Sequence, residues 1–157
     1  MGRVVTLAIA LGSNLGDRHA HLDYAITRLQ SFLQQLHVSR YVDTEPVGVG
    51  GGHPRYLNAA AVGRTTMSAR EVLDALLNIE RERGRTRPYA VAPRTLDLDL
   101  ILFGEDSIDE PGLIVPHARF RERRFVLEPL AEIAPEMRDP VSGLTVGQLL
   151  LALTPGR

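Results

Sequence analysis

The sequence contains no cysteine. That excludes a disulfide framework, a zinc ribbon and a thiol nucleophile together. Lysine is absent as well, so all 18 basic residues are arginine. The chain therefore has no Walker A lysine, no Schiff-base lysine and no lysine general base. Any anion it holds is held by planar, permanently charged guanidinium groups or by backbone amides. Charge of one sign is not in excess either, since 19 acidic residues leave a net charge of −1. A general nucleic-acid coat runs on excess positive charge, so no nucleic-acid partner is expected. No run of about 18 apolar residues exists, so no membrane span is expected. The N-terminal apolar stretch lacks a small-residue cleavage site and reads as a first strand rather than a signal peptide, which makes a cytoplasmic location the expectation. Repeats, low-complexity runs and linkers are missing. One domain over residues 1–157 is expected, a size that buries roughly 70% of its unfolded surface without a staple.

What is present alternates between strand and helix patterns. Residues 4–11 read as a strand that ends in the turn-forming run Gly12-Ser13-Asn14-Leu15-Gly16. Asp17 is a good N-cap, and Leu22, Ala25, Ile26, Leu29, Phe32, Leu33 and Leu36 follow at helical spacing. Residues 38–42 alternate as a half-buried strand does, and residues 56–65 read as a third strand. Ser68 with Glu71 forms a capping box ahead of a second helix, and residues 95–103 make a fourth strand. The order β-α-β-β-α-β is the split βαβ arrangement of ferredoxin-like folds. The expected class is α+β, with an antiparallel-dominated sheet and helices packed on it. The last third is less regular, with a turn at Glu110-Pro111-Gly112, a helix near 125–133 and a final helix from Thr145.

The strongest chemical signal is Pro93-Arg94-Thr95-Leu96-Asp97-Leu98-Asp99. Residues two apart in a strand share a face, which places the two carboxylates on one side about 7 Å apart. Such a pair repels itself unless a cation intervenes, and magnesium is held by one or two carboxylates plus substrate phosphates. The bland alternative is the solvent side of an amphipathic strand. Against it stand the poor strand propensity of aspartate and the arginine loop that enters this strand.

Nine of the 18 arginines lie in two short stretches, Arg81 to Arg94 and Arg119 to Arg124. Arg81 and Arg83 suit a solvated helix end, with Glu80 or Glu82 as partners. Arg85, Arg87 and Arg94 fall in a loop punctuated by glycine and proline, where forks around an aspartate pair suit a polyphosphate. His117 lies between Pro116 and the second cluster; a phosphate contact or proton shuttle there stands beside a merely structural role. His19 and His21 read as surface residues. The glycine-rich stretch 46–55 matches no dinucleotide fingerprint and reads as either a closing lid or a plain connection. Tyr56 and Asn58 could offer a flat heterocycle an aromatic face and an amide edge, or could simply serve packing.

Together these motifs resemble the 6-hydroxymethyl-7,8-dihydropterin pyrophosphokinase family of folate biosynthesis. The resemblance runs through Leu11-Gly12-Ser13-Asn14-Leu15-Gly16, Thr44-Glu45-Pro46-Val47-Gly48, Tyr56-Leu57-Asn58-Ala59-Ala60, Glu80 with Gly84-Arg85, and Pro93 to Asp99. It closes with Val115-Pro116-His117, Arg123, Phe125-Val126-Leu127 and Glu132-Ile133-Ala134-Pro135. It implies transfer of the β,γ-diphosphate of ATP to the pterin hydroxymethyl oxygen, with release of AMP. It implies two magnesium ions on Asp97 and Asp99, with Arg85 and Arg94 as further catalytic residues. Glu80, Arg85, Arg87, Arg94, Leu100, His117, Arg121 and Arg123 fall at positions around ATP, Arg87 and Arg121 being the weaker ones. Thr44, Val47, Tyr56, Asn58 and Phe125 fall at positions that line the pterin pocket. Where the family usually carries a basic, an aromatic and a small residue, this chain has Ala90, Val91 and Ala92, with Tyr89 the nearest aromatic. A monomer acting on small molecules is expected. The alternatives are a two-metal phosphohydrolase and an arginine-mediated nucleic-acid-binding module.

Overall fold

A computed structural model describes residues 3–44, 55–84 and 95–153. Nine residues, Val5–Ser13, form the central strand β1. Antiparallel neighbours flank it on both sides, β4 (Tyr56–Thr65) and β5 (Asp97–Phe103). Beyond β4 lie β2 (Gln34–Val38) and β3 (Val42–Thr44). The sheet order β2-β4-β1-β5 is that expected of a split βαβ core. A small hairpin, β6 (Ile108–Glu110) and β7 (Leu113–Val115), turns at Gly112, whose φ of 75° suits glycine.

Strand alternation divides the core between two faces. Val5, Leu7, Ile9 and Leu11 join Leu57, Ala59, Leu96, Leu98 and Leu100 on one side. Helices α1 (Arg18–Gln30) and α2 (Ala69–Glu82) cover that face through Leu22, Leu29, Val72, Leu76 and Ile79. The other face presents Ala8, Ala60 and Ile101 to Phe120, Leu127, Leu130, Val146 and Leu149. Those residues belong to a single 3₁₀ turn (Phe120–Glu122), α3 (Arg124–Ile133) and α4 (Val146–Ala152). None of the helices described is long and apolar enough to cross a membrane.

The caps read in the sequence are present. Asp17 accepts from Ala20 N, and Ser68 and Thr145 complete reciprocal boxes with Glu71 and Gln148. Replacing Ser68 with alanine should lower stability by about 1 kcal/mol in denaturant titration; an unchanged midpoint would show that α2 does not depend on its cap.

Three expectations are corrected. The first strand continues through Gly12 and Ser13, which the turn chemistry placed outside it. Gly12 pairs with both neighbours and Ser13 with β4 alone, and that pairing outweighs the local turn preference. The strand expected at 38–42 is two strands. Between them the Ser39 hydroxyl accepts from Ala60 N at 2.9 Å, and Arg40 N donates to Glu132 Oε2 at 2.9 Å, so side chains replace ladder partners. Finally, α1 stops at Gln30, and Leu33 and Leu36 reach the same core from beyond it.

Candidate active site

Gly12 sets the site. It pairs with Asn58 on β4 and with Asp97 on β5, and directly paired residues of an antiparallel sheet share a face. Two interstrand spacings, about 10 Å, therefore separate the Asn58 amide from the Asp97 carboxylate, with no side chain between them. A Cβ on Gly12 would lie 3.3 Å from Asn58 Oδ1 and 3.5 Å from the Tyr56 ring. The missing side chain makes a trough walled by Tyr56 and Asn58 on one side and by Asp97 on the other. Gly12→Ala should raise the KM for whichever flat ligand lies in the trough several-fold while leaving the partner substrate's KM near wild type. Equal KM values in the variant would argue against the trough as the binding surface.

One step along the strands, Asp99 pairs with Ala10, so the two aspartates share the trough's face. Both are half-buried, while Leu98 between them is in the opposite core. Beneath this strand, Glu80 of α2 is only 2% exposed. Its carboxylate accepts from Leu98 N at 2.7 Å, tying α2 to the strand that carries the aspartates. The Leu100 side chain lies in the core, so a ligand there would meet its main chain.

The wall of the site on the β4 side is fixed by two networks. Asn58 Nδ2 donates to Thr44 Oγ1 at 2.6 Å. The Arg18 fork reaches the Asp43 carboxylate at 3.0 and 3.2 Å, and Arg55 Nε reaches the same carboxylate at 3.1 Å. Asp43 thus joins the start of α1 to the residues on both sides of 45–54, and the Arg18 guanidinium beside it holds its carboxyl below the usual range.

On the β5 side, His117 N donates to Ile101 O at 3.0 Å, which lays the segment after β7 along the outer edge of the sheet. Arg119 N donates to His117 Nδ1 at 3.3 Å. With Nδ1 accepting, the neutral ring carries its proton on Nε2 and presents a donor there. Burial pushes the His117 pKa down, the Arg123 charge pushes it further, and Asp97 opposes both. Those influences place His117, Arg123 and Asp97 within one electrostatic neighbourhood.

The four arginines of 119–124 separate by partner. Arg119 pairs with Glu122 at 3.1 Å, Arg124 with Glu128 at 3.0 Å and Arg121 with Asp139 at 2.5 Å. Arg123 has no carboxylate partner among the described residues; its guanidinium lies 5.6 Å from the centre of the Phe125 ring. Its charge and that of Asp97 both act on His117, and among the described residues its fork meets no carboxylate.

The profile of the family described as 7,8-dihydro-6-hydroxymethylpterin-pyrophosphokinase matches residues 8–135. This chain belongs to that family. A 2-amino-4-hydroxy-6-hydroxymethyldihydropteridine pyrophosphokinase of Bacillus subtilis is 40% identical over 142 residues, covering 89% of this chain and 84% of the relative. One of Pseudomonas aeruginosa is 40% identical over 146 residues, covering 92% and 89%. Among solved structures, a wild-type HPPK-DHPS chain of Plasmodium falciparum superimposes with a TM-score of 0.78. At 13% identity that likeness concerns the fold alone; it covers 96% of this chain, which spans 45% of the longer one.

For this pyrophosphokinase family member, the structure brings together Thr44, Tyr56, Asn58, Asp97 and Asp99 around the Gly12 trough, with His117 at the β5 edge and Arg123 among the charges that act on it. Val47, Arg85, Arg87 and Arg94 lie outside the described residues, as do Tyr89, Ala90, Val91 and Ala92. Phe125 stands in the first turn of α3, half-buried against the second core face. Arg121, expected near phosphate, has its fork on Asp139. Two other expectations are revised. Arg83 is not a freely solvated helix end, because its Cζ lies 4.6 Å from the centre of the Tyr24 ring and its Nε donates to His21 Nδ1 at 3.0 Å. Glu82 pairs instead with Arg28, at 2.8 Å. His21 is consequently not a plain surface residue. Burial first, and Arg83 second, lower its pKa against the pull of Asp17.

That histidine yields a pH prediction. The folded chain binds a proton at His21 less readily than the unfolded chain, so its stabilising share is complete above the ordinary value of 6.5 and declines as pH falls below it. Urea titrations from about pH 7.5 to about pH 5 should show a shallower acid-side loss in His21→Gln than in wild type. Parallel curves would remove His21 from the acid response.

Gly12 and Asp43 were not singled out as site residues by sequence reasoning. A glycine inside a strand pattern is the signal that could have marked the first, since it invites close approach of another group.

Proposed function

We propose that this chain carries out the reaction its family is named for, with ATP as the diphosphate donor. The pterin hydroxymethyl oxygen bonds to the β-phosphorus of ATP, the bond from that phosphorus to the α,β-bridging oxygen breaks, AMP leaves and the hydroxyl proton is released. The observation that carries this reading is the Gly12 trough. It sets an amide edge and an aromatic ring on one side and a carboxylate pair on the other, within the span of a bicyclic heterocycle bearing a reactive arm.

Magnesium fits the donor set. Asp97 and Asp99 offer hard oxygen ligands on one face, and no cluster of three or more metal-ligating side chains occurs among the described residues. Two carboxylates without a complete cage suit a cation that takes its remaining ligands from phosphates and water. When bound, two such ions would supply charge neutralisation across the phosphates and the attacking hydroxyl. Asp97 and Asp99 would hold them.

The chain's other residues act by binding and orienting. Arg123 presents its fork to the diphosphate, and neutral His117 donates from Nε2. Arg85, Arg87 and Arg94 are assigned to the phosphates by resemblance, with Arg85 and Arg94 counterbalancing charge in the transition state. Glu80 and the Leu100 main chain border the nucleotide. Asn58 reads the pterin edge, Thr44 holds Asn58, Val47 lines the pocket, and Tyr56 and Phe125 flank the ring. The chain works as a single monomeric domain, in the cytoplasm, on these two small molecules.

Titration with a non-hydrolysable ATP analogue, with and without pterin, tests the reading. Magnesium-dependent binding that pterin strengthens, together with AMP as the product from ATP, is the expected result. Phosphate release from ATP without pterin would overturn it.

A further inference from the structure

We infer that Asp139 is a positioning residue for the nucleotide half of the site, acting through Arg121; the inference rests on the function proposed above. Asp139 lies beyond the 8–135 stretch that the family profile matches. It is fully buried, yet it belongs to a turn whose next five residues are mostly exposed.

Five hydrogen bonds converge on its carboxylate. Arg121 donates from Nε at 2.5 Å and from Nη2 at 2.9 Å, Val141 N at 3.0 Å, Ser142 N at 3.3 Å and Ser142 Oγ at 2.6 Å. Burial alone would raise its pKa; the Arg121 fork, Ser142 and Val141 outweigh that and hold it ionised well below the usual range. The turn is itself braced, since Asp139 N donates to Leu144 O at 2.9 Å and Gly143 N to Asp139 O at 2.8 Å. It leads directly into the Thr145 cap of α4.

What this anchor holds is the 3₁₀ turn at Phe120–Glu122. Phe120 is buried in the second core, and the Arg121 guanidinium lies 4.9 Å from the centre of its ring. The turn is thus fixed at two points, one apolar and one ionic. Its two ends carry the proposed phosphate-binding residues. Phe120 N donates to His117 O at 3.4 Å, and Arg123 N donates to Phe120 O at 3.2 Å. Each is three residues from Phe120, on opposite sides, so a rotation of the turn displaces both together. Arg123 has no side-chain cap bond of its own to hold it independently of the turn.

A purely stabilising role explains this arrangement poorly. Buried ion pairs contribute little net stability compared with apolar replacements, and they are best attested where they fix geometry. A bidentate fork fixes both the distance and the plane of the arginine.

The test uses Asp139→Ala, Asp139→Asn and Arg121→Lys in the full chain, each studied well below its own unfolding midpoint. Steady-state rates are measured with ATP and pterin varied separately. Calorimetry follows the magnesium-loaded ATP analogue, then pterin at saturating analogue. For Asp139→Ala the expected result is an ATP-analogue Kd raised about tenfold, equivalent to about 1.4 kcal/mol, with pterin affinity within about twofold of wild type. Asp139→Asn keeps the shape without the charge, Arg121→Lys keeps the charge without the fork, and both should fall between wild type and Asp139→Ala. Unchanged ATP affinity and kcat in a folded variant would overturn the inference. So would ATP and pterin affinities that fall together in step with lost stability, because the pair would then be structural only. If Asp139→Ala does not fold, Arg121→Lys decides on the same readouts. Wild-type protein that makes no AMP from ATP and pterin would instead sink the proposed function, which keeps the two failures apart.

Discussion

Asp97→Asn and Asp99→Asn should each lower AMP production by about a thousandfold or more while the protein remains folded. The magnitude follows from the several kcal/mol of charge stabilisation that a carboxylate-held cation supplies, each 1.36 kcal/mol being tenfold in rate. Asparagine preserves the shape and removes the charge. Neither aspartate belongs to either core face, and each is half-buried at the trough. Stability in the absence of ligands should therefore stay within about 1 kcal/mol of wild type, because asparagine keeps the side chain's size and its accepting oxygen. Thermal unfolding and AMP release, measured on the same preparations, give the comparison. A variant with near-wild-type turnover would remove its aspartate from the metal assignment. Collapse of the fold in both would show that the pair is structural.

The second large effect separates arginines that composition cannot tell apart. Arg123→Ala should reduce kcat/KM for ATP by about a hundredfold or more, the range for loss of a preorganised donor to developing phosphoryl charge. Arg119→Ala and Arg124→Ala should stay within about threefold, since each holds an exposed carboxylate three or four residues away and such pairs count for little. Steady-state kinetics on the three variants decides it. Equal losses in all three would mean that the stretch acts as a diffuse positive patch, and the partner-based distinction would fall.

Much of this protein was legible in its sequence. The split βαβ order, the capping boxes at Ser68 and Thr145 and the shared face of Asp97 and Asp99 all follow from short-range rules of periodicity and hydrogen bonding. What escaped reading has a common cause. The Gly12 trough exists because β4 and β5 pair on either side of one glycine, whose local neighbours favour a turn. The Ser39 interruption depends on a hydroxyl meeting β4 and on Glu132 reaching Arg40 across 92 residues. The status of Arg83 depends on Tyr24 and His21 in another helix. None of these partners is near in sequence.

The arginine-only positive charge shows where the boundary lies. Residue identities and strand period were enough to establish that side-chain cations other than histidine would be guanidinium groups, that no cysteine or lysine chemistry was open, and that two carboxylates would face one way on a strand. Those statements depend on residue identity and on the two-residue period of an extended chain. Which of the arginines at 119–124 meets a carboxylate, and which one, depended on contacts made in the folded chain. Arg119, Arg121, Arg123 and Arg124 are near-equivalent along the chain, and what distinguishes them is the carboxylate each meets in three dimensions. The Arg121 charge is met by Asp139, in the turn that precedes α4. Arg123 has no such partner among the described residues, and that difference is the ground on which its fork is proposed for the phosphates.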